Sequence, residues 1–347
     1  MAIERTDATL WSIQYLRAAA AVGVIVFHQM QMRHRIFGLG EHGVDLFFVI
    51  SGFIMVALTD ARPTRPRTFL LDRIARIVPP YWIATLCAFL VAAVDPYFYH
   101  GSTDPGLLAK SLFFVPARNA FGEIEPTLFL GWTLNYEMFF YAVFALTLFL
   151  PRGRLVVLCT LFGALVAIGR PMHPTGAATT IYTDPLLLEF AAGAILGRVF
   201  GAGAAVPASL RQVLAALAVA LVLTLLAFWS GRLLFGAVAV VLVAGGLLLE
   251  RGGAMPRLPW LKLLGDASFA IYLFQQFAFV LVGKSLALTG RLLHHAVPHL
   301  LIEALNIVAA IALGLLVLRL LERPLTKTVK EALRRLSGEP VGLRAAA

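Results

Sequence analysis

Arg17 and His28 lie eleven positions apart in LRAAAAVGVIVFHQ, and every residue between them is Ala, Val, Gly, Ile or Phe. An α-helix turns about 100° and rises about 1.5 Å per residue, so this spacing is about 20° past three turns and about 16 Å along the axis. The two groups share one face at two depths. Ionisable side chains inside a bilayer face the protein interior or a wet cavity. A histidine there can serve as general base or nucleophile; the plainer alternative is a snorkelling arginine and a core histidine bonded to a neighbour. Glu137, in GWTLNYEMFFYAVF (131–144), is the matching carboxylate. Buried alone it would be costly or protonated, and a His28–Glu137 pair would both solve this and orient a base. Asn135, Tyr136 and Tyr141 add hydrogen-bonding groups in the same segment.

Two further stretches carry chemistry. In FLLDRIARIVPPYW, Arg73 and Arg76 are three apart and project from one face if helical. Guanidinium pairs beside a membrane suit phosphate through bidentate hydrogen bonds, or they simply hold the topology. In GVDLFFVISGFIM (43–55), Gly43, Ser51 and Gly52 permit close approach of a helix or a ligand, Asp45 lies near one end, and Phe47 and Phe48 add aromatic surface. A helix-packing motif is the alternative there. Cys87 and Cys159 fall in apolar blocks and read as small hydrophobes.

The elements that must position these residues are membrane spans. The chain has 347 residues, 60% hydrophobic and 14% charged, with mean hydropathy +0.84, against about 25% charged in a soluble domain. At about 20 apolar residues per span, ten blocks appear: 12–31, 43–60, 77–95, 129–150, 154–170, 184–200, 211–229, 232–249, 267–289 and 299–321. Pro79 and Pro80 suit a helix start. The segment 106–117 is too short to span and is expected to lie at the interface or re-enter, within a long loop over 96–128 of the kind that often carries function. The first block has few preceding positive charges and no clear cleavage site after it, so it is expected to stay as the first span.

The net charge of +10 is ordered along the chain. With the N-terminus cytoplasmic, 19 of the 29 Lys and Arg fall in inside segments and seven in outside ones. This favours both termini inside, as an even number of spans requires, and makes nucleic acid an unneeded explanation. In that orientation the first helix runs outward and the fourth inward, bringing His28 and Glu137 to similar depth. The expected fold is an all-α polytopic membrane protein with about ten transmembrane helices and both termini cytoplasmic. One membrane domain covers 1–325, and 326–347 is a short basic cytoplasmic tail.

Taken together, four motifs resemble the acyltransferase-3 family of integral membrane acyltransferases. Arg17 and His28 match its Arg-x10-His; Gly43, Phe47, Phe48, Ser51 and Gly52 its Gly-x3-Phe-Phe-x2-Ser-Gly; Arg73 and Arg76 its Arg-x2-Arg; and Trp132, Thr133, Leu134 and Glu137 its Trp-[Ser/Thr]-Leu-x2-Glu. The likeness runs to LERP at 321–324 and is greatest to the branch that acetylates secreted exopolysaccharide such as succinoglycan. One departure stands out: Gln275 holds a position where the family often has His, so no catalytic role is expected of it. His294, His295 and His299 in the following loop have no carboxylate or cysteine cluster beside them, and no metal is expected.

The resemblance implies transfer of an acyl group, most simply acetyl, from cytoplasmic acyl-CoA to a hydroxyl of a cell-surface or secreted polysaccharide, in the bacterial inner membrane. His28, Glu137 and Arg17 are then the expected catalytic residues, with Glu137 orienting His28 or stabilising its imidazolium and Arg17 guiding the donor. Arg73, Arg76, Gly43, Ser51 and Gly52 are expected along the donor, and Asp45, Trp132, Asn135 and Tyr136 against the acceptor. Expected partners are the bilayer, acyl-CoA and a glycan or lipid-linked glycan; self-association is left open. A small natural product or a lipid-linked sugar is the alternative acceptor. A transporter or flippase is the alternative class, but no inverted repeat and no G-x4-G-K-[ST] loop is seen.

Overall fold

The computed structural model describes residues 9–31, 42–95, 101–150, 152–201, 217–226, 233–293 and 298–336, and all regular structure among them is helical. The helices are α1 (Trp11–Gln31), α2 (Gly43–Ala61), α3 (Pro66–Val94), α4 (Pro105–Leu112), a 3-10 turn (Phe129–Gly131), α5 (Trp132–Thr147), α6 (Arg154–Met172), α7 (Ala177–Tyr182) and α8 (Leu187–Phe200). Then come α9 (Leu217–Leu226), α10 (Leu234–Arg251), α11 (Pro259–Asp266), α12 (Ser268–Leu293), α13 (His299–Val317), a π turn (Leu318–Glu322) and α14 (Arg323–Leu336).

Among the described residues, six helices are long and apolar enough to cross a membrane: 43–61, 66–94, 154–172, 234–251, 268–288 and 299–336. They carry large apolar side chains on their outer faces, such as Leu90 on α3, Val156 and Ile168 on α6, and Leu300, Val308 and Leu316 on α13. With no lipid present such faces are exposed; in a bilayer they meet acyl chains, and the backbone polar groups behind them are satisfied within the helices. The chain is thus a multi-pass membrane protein. Helices α5 and α8, at 16 and 14 residues, are shorter than the blocks expected there.

Helix α2 is the hub. Its Phe48 and Met55 belong to one buried cluster with Tyr81, Phe140, Phe190 and Ile271. Its Val49 and Phe53 belong to a second with Ile13, Leu196 and Val243. It crosses α8 at backbone contact: a Cβ on Gly52 would sit 2.1 Å from the Phe190 carbonyl oxygen, and one on Gly193 2.0 Å from that of Val49. Only glycine fits, and Gly193→Val is expected to destabilise the protein by about 3 kcal/mol, the upper end for overpacking. A lowered melting temperature of the detergent-solubilised protein checks this.

Polar contacts fix the helix ends. The Glu250 carboxylate of α10 accepts from the backbone N–H groups of Trp11 (2.8 Å) and Ser12 (3.1 Å), capping α1. Asp60, near the end of α2, pairs with Arg154 of α6 and with Arg198 of α8. Asp72 of α3 is held by Lys330 (2.9 Å) and Arg334 (3.2 Å) of α14.

One expectation changes, and two segments gain defined bounds. Helix α3 begins at Pro66, not near 77, so Pro79 and Pro80 lie inside it. The four charged residues of 66–76 lower the hydropathy of a segment that is nonetheless helical, with Pro66 in the first turn. Lacking N–H groups, the two prolines leave the carbonyls of Ala75 and Arg76 without their helical donors. The expected boundary at 325 falls within α14, which continues to Leu336. The short segment at 106–117 forms α4, capped by Asp104, which accepts from the N–H groups of Gly106 (2.9 Å) and Leu107 (3.1 Å).

Candidate active site

Two cavities adjoin, with Val44 and Tyr272 in the lining of both. The first has a volume of about 100 Å³ and is lined by Arg17, Ser51, Arg73, Arg76, Glu137 and Tyr141 among apolar neighbours. Four helices bring these together. Arg17 comes from the second turn of α1, Ser51 from the middle of α2, Arg73 and Arg76 from one face of α3, and Glu137 and Tyr141 from i and i+4 of α5.

Within this cationic cavity the Tyr141 hydroxyl donates to the Glu137 carboxylate, and Ser51 Oγ donates to the same oxygen at 3.4 Å. Arg17 is 9% exposed and its guanidinium reaches Gln14 Oε1 at 3.4 Å. Arg17 also lies within electrostatic reach of Arg76, Glu322, Asp266 and Glu137. Three guanidiniums against one lining carboxylate leave a site suited to an anionic ligand. Asp72, the acid beside Arg73, is already engaged by α14.

The second cavity, about 530 Å³, falls in the range of small-molecule sites, about 300–1,000 Å³. His28 lines it together with Asp45, His42, Glu125, Phe129 and Trp132. Asp45 accepts from His42 Nδ1 at 3.3 Å. Burial, and then the neighbouring Glu123, push the Glu125 carboxyl above the ordinary carboxylate range. His28 packs edge-on against Phe129 at 5.4 Å between ring centroids, and its Nδ1 lies 3.2 Å from Gln275 Oε1. Val44 and Tyr272 line both cavities and so form the partition between them. Tyr272 is held in place by its hydroxyl, which donates to the Leu130 carbonyl at 2.9 Å.

The site thus departs from the expected one in four respects. Glu137 does not pair with His28: it faces the cationic cavity with Tyr141 and Ser51, while His28 faces the other cavity and bonds Gln275. Gly52 lies against the backbone of α8, and Gly43 against α1, where a Cβ would sit 2.7 Å from the Ala20 carbonyl oxygen, so both sit at helix contacts. Asn135 and Tyr136 are buried in the packing of α5 and line neither cavity. Gln275, set aside on sequence grounds, is fully buried and is the partner of His28. Its signal was positional: it stands one helical turn from Tyr272.

Arg17, Ser51, Arg73, Arg76 and Glu137 do gather in one cavity, and Asp45, Trp132 and His28 in the next. Glu322 of the LERP segment, buried in the π turn, lies within electrostatic reach of Arg76 and Arg17. Among the described residues no group of three or more His, Cys, Asp or Glu could hold a metal ion; His294 and His295 lie outside them.

A multi-pass helical protein thus gathers three arginines in one cavity beside a second that bears His28. The chain belongs to the acyltransferase-3 family: the family model described as an acyltransferase domain matches residues 10–321. It is a membrane acyltransferase. It is 41% identical over 309 residues to the exopolysaccharide production protein ExoZ of Rhizobium meliloti (strain 1021), covering 87% of this chain and 95% of that protein. It is 30% identical over 149 residues to protein 2 in the picA locus of Rhizobium radiobacter, covering 38% of this chain and 78% of that one. No solved structure matches.

Proposed function

We propose that this protein transfers an acyl group, acetyl in the simplest case, from cytoplasmic acyl-CoA to a hydroxyl of a cell-surface or secreted polysaccharide. It does so as a ten-span protein of the bacterial inner membrane with both termini cytoplasmic. The observation that carries the reading is the pair of adjoining cavities, one cationic and one bearing His28, divided by Val44 and Tyr272. The pairing of Arg154 and Arg198 on Asp60 supports the topology, since sequence charge assigns all three residues to the same side of the membrane. The similarity to a protein named for exopolysaccharide production supports the acceptor class.

CoA is a polyanion. Arg73 and Arg76 bind its phosphates at the cytoplasmic side, and the small cavity volume leaves the nucleotide at the mouth. Arg17 draws the donor inward, and the pantetheine arm passes between Val44 and Tyr272 until the thioester lies beside His28. The acceptor occupies the larger cavity, where Trp132 and Phe129 offer aromatic surface to a sugar and Asp45 and Glu125 offer acceptors to its hydroxyls.

In direct transfer His28 takes the proton of the acceptor hydroxyl as its oxygen bonds the acyl carbon. The C–S bond breaks, and the departing thiolate takes the proton from the imidazolium, giving ester and free CoA thiol. In the two-step form the imidazole nitrogen bonds the acyl carbon as the C–S bond breaks and CoA leaves as thiolate; the sugar hydroxyl oxygen then bonds the acyl carbon, the C–N bond breaks, and the hydroxyl proton ends on the thiolate, giving ester, free CoA thiol and neutral imidazole. Glu137, with Tyr141 and Ser51, balances the guanidinium charge along the donor path.

Purified protein in lipid nanodiscs, given radiolabelled acetyl-CoA, tests this against a panel of acceptors. Label is expected in alkali-de-acetylated exopolysaccharide or its lipid-linked repeat unit. Label only in a small-molecule alcohol would move the acceptor to a natural product, and no thiol release with any acceptor would defeat the reading.

A further inference from the structure

Gln275 sits where both ends of its amide are accounted for. Its Nε2 donates to the Tyr272 backbone carbonyl at 2.9 Å, and its Oε1 faces His28 Nδ1 at 3.2 Å. A carbonyl oxygen only accepts, so the NH2 end must be the one turned to Tyr272. That leaves the amide oxygen toward His28, and an oxygen acceptor requires a proton on Nδ1. The orientation is held by burial, since Gln275 is fully enclosed, and by the anchoring of Tyr272 to Leu130. His28 has no other hydrogen bond among the described residues, and its ring lines the larger cavity.

We infer that Gln275 is a positioning residue that locks His28 in the Nδ1–H tautomer and leaves the Nε2 lone pair as the atom that reacts. This rests on the acyl-transfer reading above and deepens it by naming the nitrogen. A neutral imidazole has one donor and one acceptor nitrogen, and the bond made by one sets the state of the other. With Nδ1–H held by the amide, Nε2 is unprotonated before reaction and receives the hydroxyl proton, or the acyl carbon, without a prior tautomer exchange. The proton count is unchanged: Nδ1 keeps its hydrogen throughout, and Nε2 alone gains and loses. An amide stabilises the imidazolium only as a dipole, unlike a carboxylate, so Gln275 selects the tautomer without adding charge to the cavity. The titratable groups that face the same cavity are His42, Asp45, Glu125 and Tyr272, and none is bonded to the ring.

Nitrogen NMR of histidine-labelled protein in nanodiscs, with His28 assigned by difference from His28→Asn, reads the tautomer directly at neutral pH. The wild type is expected to show a pyrrole-type Nδ1 and a pyridine-type Nε2. Gln275→Leu is expected to lose that signature and to lower kcat by about tenfold or more, with KM for acetyl-CoA unchanged, since the donor's phosphates bind in the other cavity. Gln275→Glu, read at a pH where the introduced carboxyl is neutral so that its O–H donates to the Tyr272 carbonyl and its other oxygen faces Nδ1, is expected to restore the signature and most of the rate. A wild-type His28 protonated on Nε2, or a Gln275→Leu protein with the wild-type tautomer and kcat, overturns the inference. If the wild type releases no thiol from acetyl-CoA with any acceptor, the acyl-transfer reading fails instead, while the tautomer is read by NMR independently of turnover, so the two failures are told apart.

Discussion

His28→Ala is expected to lower kcat for transfer from acetyl-CoA by about 1,000-fold, within the range that a general base contributes, while the protein still inserts and folds. Its imidazole packs beside Phe27 and Phe129 at the edge of a cavity, so its removal enlarges a space already present. The structural cost is the orphaned Gln275 Oε1, about 1–3 kcal/mol for a buried polar group, which a modest fall in melting temperature will register. KM for acetyl-CoA is expected to stay near wild type, because the arginines that meet the phosphates line the other cavity. Release of CoA thiol by the purified variant separates these quantities. A well-folded His28→Ala protein with wild-type kcat would remove His28 from the chemistry.

Arg73→Ala with Arg76→Ala is expected to act on the other parameter. At about 1.5 kcal/mol for each charge-assisted hydrogen bond lost, the pair supplies about 3 kcal/mol, or about 100-fold in KM for acetyl-CoA, with a smaller change in kcat. Lysine at both positions keeps the charge but not the planar fork and is expected to fall between. Raising the salt concentration should weaken donor binding in the wild type more than in the double alanine variant. An unchanged KM, with the variant present in the membrane at normal yield, would assign the two arginines to topology alone.

Much of the cationic cavity was legible in the sequence because helical periodicity is local. Arg73 and Arg76 are three apart, and Arg17 shares a face with His28, so each pair's direction follows from spacing. What spacing does not give is the offset between helices. Equal depth suggests a His28–Glu137 pair, but Glu137 bonds Tyr141, one turn on in its own helix, and Ser51 of α2. Gln275 was read as the loss of a histidine, but its meaning lay in a contact across 247 positions of sequence. Gly43 and Gly52 were open to two readings, and only the positions of α1 and α8 decide for packing. Hydropathy marks the apolar C-terminal part of α3 but not its charged first three turns, and it passes over α7 and α11, which at 6 and 8 residues are far below span length.

Proton NMR of extracellular polysaccharide is the most direct test, comparing cells that express the wild type, His28→Ala or no protein. Ester-linked acetyl signals are expected with the wild type only. Equal signals in all three, with the His28→Ala protein present in the membrane at wild-type level, would contradict a His28-dependent acyl transfer to polysaccharide.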